Sequence, residues 1–173
     1  MTGLIWAAMP VLSILGFGLD AMPLHTLQLL RDLLSDVAGR RVGVLGVSCL
    51  ADVADTRSSA TATFRAACQA AGACVLVHGP LVTFWPEASI MISKALASDG
   101  GPDALVFAVR HREYLMLDAV TILRLFPRVA AIVDGNDVLS DATAAVLANA
   151  GCAPPAWGRA AGATWAGRQD EQA

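Results

Sequence analysis

Polar and reactive side chains follow one another closely between Ser48 and Ser59. They come directly after an apolar run, in the stretch GVLGVSCLADVADTRSS that spans Gly43–Ser59. Serine hydroxyls, backbone N–H groups at a helix start and an arginine are groups that hold an anion such as a phosphate. We therefore predict a ligand-binding loop whose candidate residues are Ser48, Cys49, Asp55, Arg57 and Ser58. An alternative for Arg57 is an ion pair with Asp55 or Asp52 that only shapes the loop.

Three residues are candidates for covalent or acid–base catalysis: Cys49, His78 and His111. Cys49 follows a predicted strand near a predicted helix start, but a nucleophile normally needs an adjacent base, and none is close in sequence. His78 and His111 end what we take to be neighbouring strands, so we predict that they approach each other across one crevice. A purely structural role for the histidines stays open beside the catalytic one.

Alternating apolar runs and helical periods predict how these residues are positioned. The buried strands are expected at Arg40–Ser48, Ala73–Pro80, Asp103–His111 and Val129–Gly135. The helices are expected at Leu19–Val37, Thr61–Ala71, Ala88–Ala97, Asp118–Phe126 and Asp141–Ala150, with Asp20 and Asp118 as N-caps. This alternation predicts the α/β class: a single Rossmann-like domain whose parallel sheet has helices on both faces, preceded by a long hydrophobic helical segment.

Ligands of parallel sheets bind beyond the carboxyl ends of the strands. That rule adds Asp134 and Asn136, which follow the last predicted strand, to the candidate ligand-binding residues. A loop-capping role is the alternative for Asp134. We expect Asp103 and Glu113 to be solvated, because neither belongs to a pair of carboxylates.

The composition narrows the class of protein. Of the 173 residues, 55% are hydrophobic and 16% charged, and the net charge is −3. This excludes a disordered chain, and the absence of a basic run argues against nucleic acid as a partner. The four cysteines have no metal-ligand spacing, so we expect no metal site, no disulfides and a reducing, cytoplasmic location. We expect Cys68 and Cys74 to be buried free thiols.

The apolar N-terminal stretch TGLIWAAMPVLSILGFGL could be taken for a targeting or membrane segment. No basic residue precedes it and Pro10 interrupts it, so we expect a helix that packs on the domain or on a second copy, with no membrane partner. We expect three regions: a hydrophobic, dimerising segment over 1–38, the α/β domain over 39–160 and a flexible tail over 161–173. The tail is expected to be loose from Pro154 onward.

Six motifs in register resemble the C-terminal UDP-binding domain of the UDP-glucose/GDP-mannose dehydrogenase family, closest to the branch that oxidises UDP-N-acetylhexosamines. They are DAMPLH (Asp20–His25), VGVLGVS with DTRSS (Asp55–Ser59), VLVHGPL (Val75–Leu81), DALVFAVRHREY (Asp103–Tyr114), VDGNDVL (Val133–Leu139) and WGR (Trp157–Arg159). The resemblance implies a UDP or UDP-sugar ligand and a homodimer. It also implies that NAD and the catalytic cysteine belong to a region without a counterpart in these residues.

The binding loop departs from the family pattern. Cys49 and Leu50 stand where the family usually has an aromatic residue and a lysine, and Asn136 stands where it has an arginine. Leu19 and Gly79 replace an asparagine and an aspartate. Loss of two cations lowers phosphate affinity by about two to four orders of magnitude if the losses add.

These observations predict a truncated UDP-binding domain that is not a dehydrogenase on its own. It would bind a nucleotide or nucleotide sugar weakly, serve assembly, or do both. No cofactor is expected within the chain; NAD would enter only through a separate subunit. One alternative is a small enzyme of specialised metabolism that reuses the crevice with Cys49, Arg57, His78 and His111. The other is an interaction subunit of a split NAD-dependent dehydrogenase.

Overall fold

The computed structural model describes residues 21–94, 96 and 101–156. Several expectations lie outside these residues: the hydrophobic segment before Asp20, the cap at Asp20, the WGR motif and the tail over 161–173. Within the described residues, no helix has the length and apolarity needed to cross a membrane.

In the described part of the chain, five parallel strands form the central sheet: β1 Arg41–Leu45, β2 Cys74–His78, β5 Ala104–Phe107, β6 Ala131–Asp134 and β7 Ala153–Ala156. Their spatial order is β2-β1-β5-β6-β7. Two further strands, β3 Phe84–Trp85 and β4 Ile90–Met91, pair antiparallel in a small hairpin. The strands β1, β2, β5 and β6 lie where the sequence predicted strands. Their short, continuous apolar runs are typical of strands that helices cover on both faces.

The helices connect the strands and cover both faces of the sheet. They are α1 Ala21–Leu34, α2 Ala60–Ala70, α3 Arg112–Leu115, α4 Ala119–Leu125 and α5 Asp141–Asn149. Asp118 caps α4 as predicted, by accepting a hydrogen bond from Thr121 N at 2.7 Å. Ser59 caps α2 and Ser140 caps α5 in the same way.

Each face of the sheet has its own core. On one face, Leu27 and Leu30 of α1 pack with Phe64 of α2 over the strands. On the other, Ile122 of α4 and Leu147 of α5 pack over the opposite side chains of the same strands. The fold is therefore α/β with helices on both faces, as predicted, and α1 belongs to the core of this domain.

The helix predicted over Ala88–Ala97 is wrong over residues 88–94, which the structure describes. A 3₁₀ turn, Pro86–Ala88, ends at Ser89 in a left-handed conformation (φ 52°), and the chain then returns as β4. Trp85 is fully buried and packs with Ile92 and Val47, so tertiary packing holds this segment in a hairpin. The expectation that the chain is loose from Pro154 is also wrong over 154–156, which belong to β7 and pair with β6.

Two smaller expectations are corrected by burial. Asp103 is only 7% exposed, and its carboxylate accepts hydrogen bonds from Arg41 N at 2.8 Å and from Arg128 Nη2 at 2.8 Å. It is therefore a structural ion-pair residue and is not solvated. Cys68 is buried, and burial raises the pKa of its thiol to about 12, but Cys74 is exposed.

Candidate functional site

The β1–α2 loop carries five of the predicted ligand-binding residues and leaves the sheet through a tight turn at Gly46. Gly46 has φ +106°, and a Cβ atom there would lie 2.5 Å from Val109 Cβ. Only glycine fits such a turn without strain. The loop is closed by a backbone hydrogen bond from Cys49 N to the Asp55 carbonyl at 2.8 Å. Ser48 is buried, and its Oγ finds no hydrogen-bond partner among the described residues.

Arg57 forms an ion pair with Asp55, as the structural alternative predicted, and a ligand-binding role for this arginine stays a prediction. The contact is bidentate: Arg57 Nε donates to Asp55 Oδ1 at 2.9 Å, and Arg57 Nη2 donates to Asp55 Oδ2 at 2.7 Å. These hydrogen bonds lower the pKa of Asp55 to about 2. The Arg57 side chain is nevertheless 84% exposed, so a ligand can reach its guanidinium.

The N-terminus of α2 lies beside a surface cleft of about 380 Å³. Ser59 accepts a hydrogen bond from Thr61 N, and Thr61 Oγ1 in turn donates to the Gly46 carbonyl at 3.2 Å, so helix start and loop are tied together. The lining is mostly hydroxyl-bearing and small apolar: Pro23, Thr56, Ser58, Ser59, Ala60, Ala62, Thr63 and Glu87. A helix N-terminus in a cleft of this kind favours an anionic or hydroxyl-rich ligand.

The two histidines do not lie on neighbouring strands, because β1 separates β2 from β5 in the sheet. They meet the same third residue, Tyr114, which is fully buried. The ring centroid of Tyr114 lies 5.6 Å from that of His78 and 5.5 Å from that of His111. The predicted approach across a crevice is thus replaced by a buried three-ring cluster.

Hydrogen bonds assign the protons of this cluster. The Lys94 carbonyl can only accept, so His78 Nε2 carries the proton and donates to it at 3.0 Å, while Nδ1 accepts from the Tyr114 hydroxyl at 2.8 Å. His111 Nδ1 accepts from Asp52 N at 2.9 Å, so its proton is on Nε2. Burial lowers the pKa of both histidines, and the nearby Asp52 carboxylate only partly opposes this for His111.

The residues after β6 also serve the fold. Asp134 is buried, and its carboxylate accepts hydrogen bonds from the backbone N–H groups of Asn136, Val138 and Leu139 at 2.8–3.2 Å. This confirms the capping alternative for Asp134. Asn136 donates through Nδ2 to the carbonyls of Phe107 and Ala108, which joins its loop to the end of β5. A ligand-binding role for either residue stays a prediction.

The catalytic candidates are not brought together as a nucleophile and its base. Cys49 is exposed, whereas both histidines are at least 96% buried. Both nitrogens of His78 and Nδ1 of His111 are already held by the contacts described above. The geometry therefore favours binding over covalent catalysis by Cys49.

Sequence reasoning missed the contacts that three residues make at this edge: Asp52, which was considered only as a partner of Arg57, Glu87 and Tyr114. Asp52 has φ +56°, donates its N–H to His111 and accepts the Arg112 N–H at 3.0 Å. Glu87 accepts from Thr56 Oγ1 at 2.8 Å across 31 residues of sequence. Aspartate tolerates the left-handed region, which is a weak local signal, but nothing local indicates the Glu87 contact.

Comparison with known proteins agrees with this geometry. Residues 43–141, more than half of the chain, match the UDP-binding domain of the UDP-glucose/GDP-mannose dehydrogenase family. No curated protein matches the chain.

Solved structures of several dehydrogenases share the fold. An NDP-N-acetyl-D-galactosaminuronic acid dehydrogenase from Methanosarcina mazei Go1 is 26% identical (TM-score 0.65) over 81% of this chain and 30% of its own. The UDP-D-ManNAc dehydrogenase from Pyrococcus horikoshii is 22% identical (TM-score 0.61) over 70% of this chain and 28% of its own. A UDP-glucose dehydrogenase from Pyrobaculum islandicum is 26% identical (TM-score 0.53), covering 69% of this chain and 27% of its own.

This chain therefore spans less than a third of the length of these dehydrogenases. The range that matches the family model, residues 43–141, includes most of the sheet and the loops described above. The chain belongs to the UDP-glucose/GDP-mannose dehydrogenase family, in which it matches the UDP-binding domain.

Proposed function

We propose that the chain binds a nucleotide or nucleotide sugar weakly, at the cleft beside the start of α2. The observation that carries this proposal is the cleft itself. Its lining includes Thr56 and Ser58, and between them in sequence stands Arg57 with an exposed guanidinium. These residues lie in the range that matches the UDP-binding domain. An exposed arginine and a helix N-terminus are the groups that attract a phosphate.

Ion pairs at the same edge of the sheet support the proposal that the nucleotide is bound weakly. Besides the pair of Arg57 with Asp55, Arg110 lies 3.4 Å from Asp137 Oδ2. In the same way Arg112 Nε lies 3.2 Å from Asp52 Oδ2. Each of these arginines already has a carboxylate partner, so a phosphate has to compete with it.

Leu50 also supports weak binding. It stands where the family resemblance implies a lysine, and it is 65% exposed without any charge. With fewer free cations than the family pattern provides, we expect a dissociation constant for UDP of about 1 mM.

Isothermal titration calorimetry with UDP, a UDP-sugar and NAD tests the proposal. We expect the wild-type chain to respond to UDP and the UDP-sugar but not to NAD, because the 173 residues contain no G-x-G-x-x-G dinucleotide motif. Arg57→Ala should abolish the response. Arg124→Ala removes an equal charge from α4, on the other face of the sheet, and should leave the response unchanged. A wild-type chain that gives no response at millimolar UDP would contradict the proposal.

Assembly is a second candidate function, favoured by the outer face of α1. Leu27 and Leu30 of this helix are buried in the core, but Met22 and Leu24 are 44% and 56% exposed. A second copy that packs against this face would cover them. Light scattering coupled to size exclusion should then report a dimer that Leu24→Glu converts to a monomer; a monomeric wild-type chain would exclude this candidate.

A further inference from the structure

Glu87 reaches the cleft from a distant part of the chain and is held in a defined place. It lies in the 3₁₀ turn Pro86–Ala88, directly after Trp85, whose fully buried ring anchors the hairpin. The carboxylate end of the Glu87 side chain is held as well, because the Thr56 hydroxyl donates a hydrogen bond to Glu87 Oε2 at 2.8 Å. Thr56 is itself only 6% exposed. The carboxylate is therefore fixed against the loop that we propose as the nucleotide site.

Glu87 brings a formal charge to the cleft lining. Among the lining residues that the structure describes, Glu87 is the only ionisable one; the others carry hydroxyl groups or are small and apolar. The partial positive charge at the start of α2 thus faces a negative charge supplied by the protein. Glu87 also acts on Arg57: the pKa of that arginine is raised mainly by its contact with Asp55, with Glu87 adding to the effect.

We propose that Glu87 is a specificity-determining residue of the cleft, which disfavours a diphosphate and favours the uncharged, hydroxyl-bearing part of a ligand. This inference rests on the proposed function, which places the nucleotide in the same cleft. A carboxylate that lies close to a diphosphate in a partly enclosed site repels it. A nucleoside or a neutral sugar can instead use Glu87 as a hydrogen-bond acceptor. The gain in affinity from uridine to UDP should therefore be smaller in the wild-type chain than in a variant without this charge.

Calorimetric titration of uridine and UDP at one ionic strength tests this. The proteins are the wild-type chain, Glu87→Gln and Glu113→Gln. Glutamine keeps the size and an acceptor oxygen for Thr56 but removes the charge. We expect Glu87→Gln to bind UDP at least about fivefold more tightly, with uridine affinity unchanged. Glu113→Gln removes an equal charge from an exposed position close to His78, so it should bind both ligands as the wild type does.

The outcomes separate this inference from the proposed function. If the wild type and Glu87→Gln bind UDP equally, the inference is overturned and the proposed function stands. If only Glu87→Gln binds UDP, the inference is supported and weak binding by the wild type is wrong. If neither binds, both fail. A gain by Glu113→Gln equal to that of Glu87→Gln, or a gain for uridine equal to that for UDP, also overturns the inference.

Discussion

The carboxyl edge of the sheet has an inner and an outer layer of polar groups, and the two differ in what they bind. In the inner layer, His78, His111 and Asp134 are buried; the histidines hold backbone groups of other segments, and Asp134 holds those of its own loop. In the outer layer, Asp55 and Arg57 hold each other across two residues of one loop, with the arginine exposed. The inner layer joins the loops into one edge, whereas the outer layer leaves contacts that a ligand can exchange.

The difference teaches where function can change without loss of the fold. A buried polar group that loses its hydrogen-bond partner destabilises the protein, because the group stays removed from water without any compensating hydrogen bond. An exposed ion pair contributes little to stability. Substitutions in the inner layer should therefore act on folding, and substitutions in the outer layer on binding.

The largest expected effect comes from the turn beneath both layers. Gly46→Ala should lower the free energy of unfolding by about 2–5 kcal/mol, because a positive φ is strained for alanine and the added Cβ collides with Val109. Urea denaturation measures the change. Gly39→Ala is the matched control: Gly39 also has a positive φ but has nothing within 4 Å of the added Cβ, so only about 1–2 kcal/mol should be lost. Equal losses in the two variants would show that packing at Gly46 does not matter.

The two layers should lose their contributions to the stability of the fold at different pH values. Burial depresses the pKa of His78 and His111 from 6.5 in the folded chain, so their neutral forms stabilise the fold above pH 6.5, and this contribution is lost as the pH falls below that value. Asp55, with its pKa lowered to about 2, should lose its pairing only between pH 3.8 and about pH 2.

Denaturation curves from pH 7.5 down to about pH 2 measure this sequence of losses. His111→Asn removes one titrating ring and leaves an acceptor oxygen near the position of Nδ1, so it should reduce the first loss. A wild-type stability that stays constant between pH 7.5 and pH 5 would refute the assignment of the buried, neutral histidines.

The smallest effect on stability is expected in the outer layer. Arg57→Ala should leave the urea midpoint unchanged, because the Arg57 side chain is mostly exposed and its partner Asp55 remains solvated. The same substitution should abolish the calorimetric response to UDP. The same preparations serve for both measurements. A large drop of the midpoint would place Arg57 in the inner layer and remove the distinction between the two.

The elements of the fold that were predictable are those with a local signal. Four apolar runs predicted the first four strands of the sheet, and Asp118 marked the start of α4 by its capping position. The segment after Trp85 was not predictable in this way. Its conformation depends on the burial of Trp85 beside Val47, and on a bridge between His78 and Ser93, which bring distant residues together.

The candidate site divides along the same line. The contact between Asp55 and Arg57 spans two residues and was foreseen as an alternative. The contacts of Thr56 with Glu87 and of Asp52 with His111 span 31 and 59 residues. No spacing rule covers such distances, since they depend on which loops the sheet order places side by side. For that reason the sequence predicted the ligand-binding loop but did not predict that Glu87 brings a negative charge to the cleft beside it.

The outermost strand next to β6, within the part of the chain that the structure describes, has a consequence for how molecules of this protein meet. β7 contains two successive prolines, Pro154 and Pro155, which have no N–H to offer. An outermost strand with a full row of donors is a template on which another molecule can add a strand and begin to aggregate. The prolines interrupt that row, so neighbouring molecules in a concentrated solution cannot readily join edge to edge beyond β7.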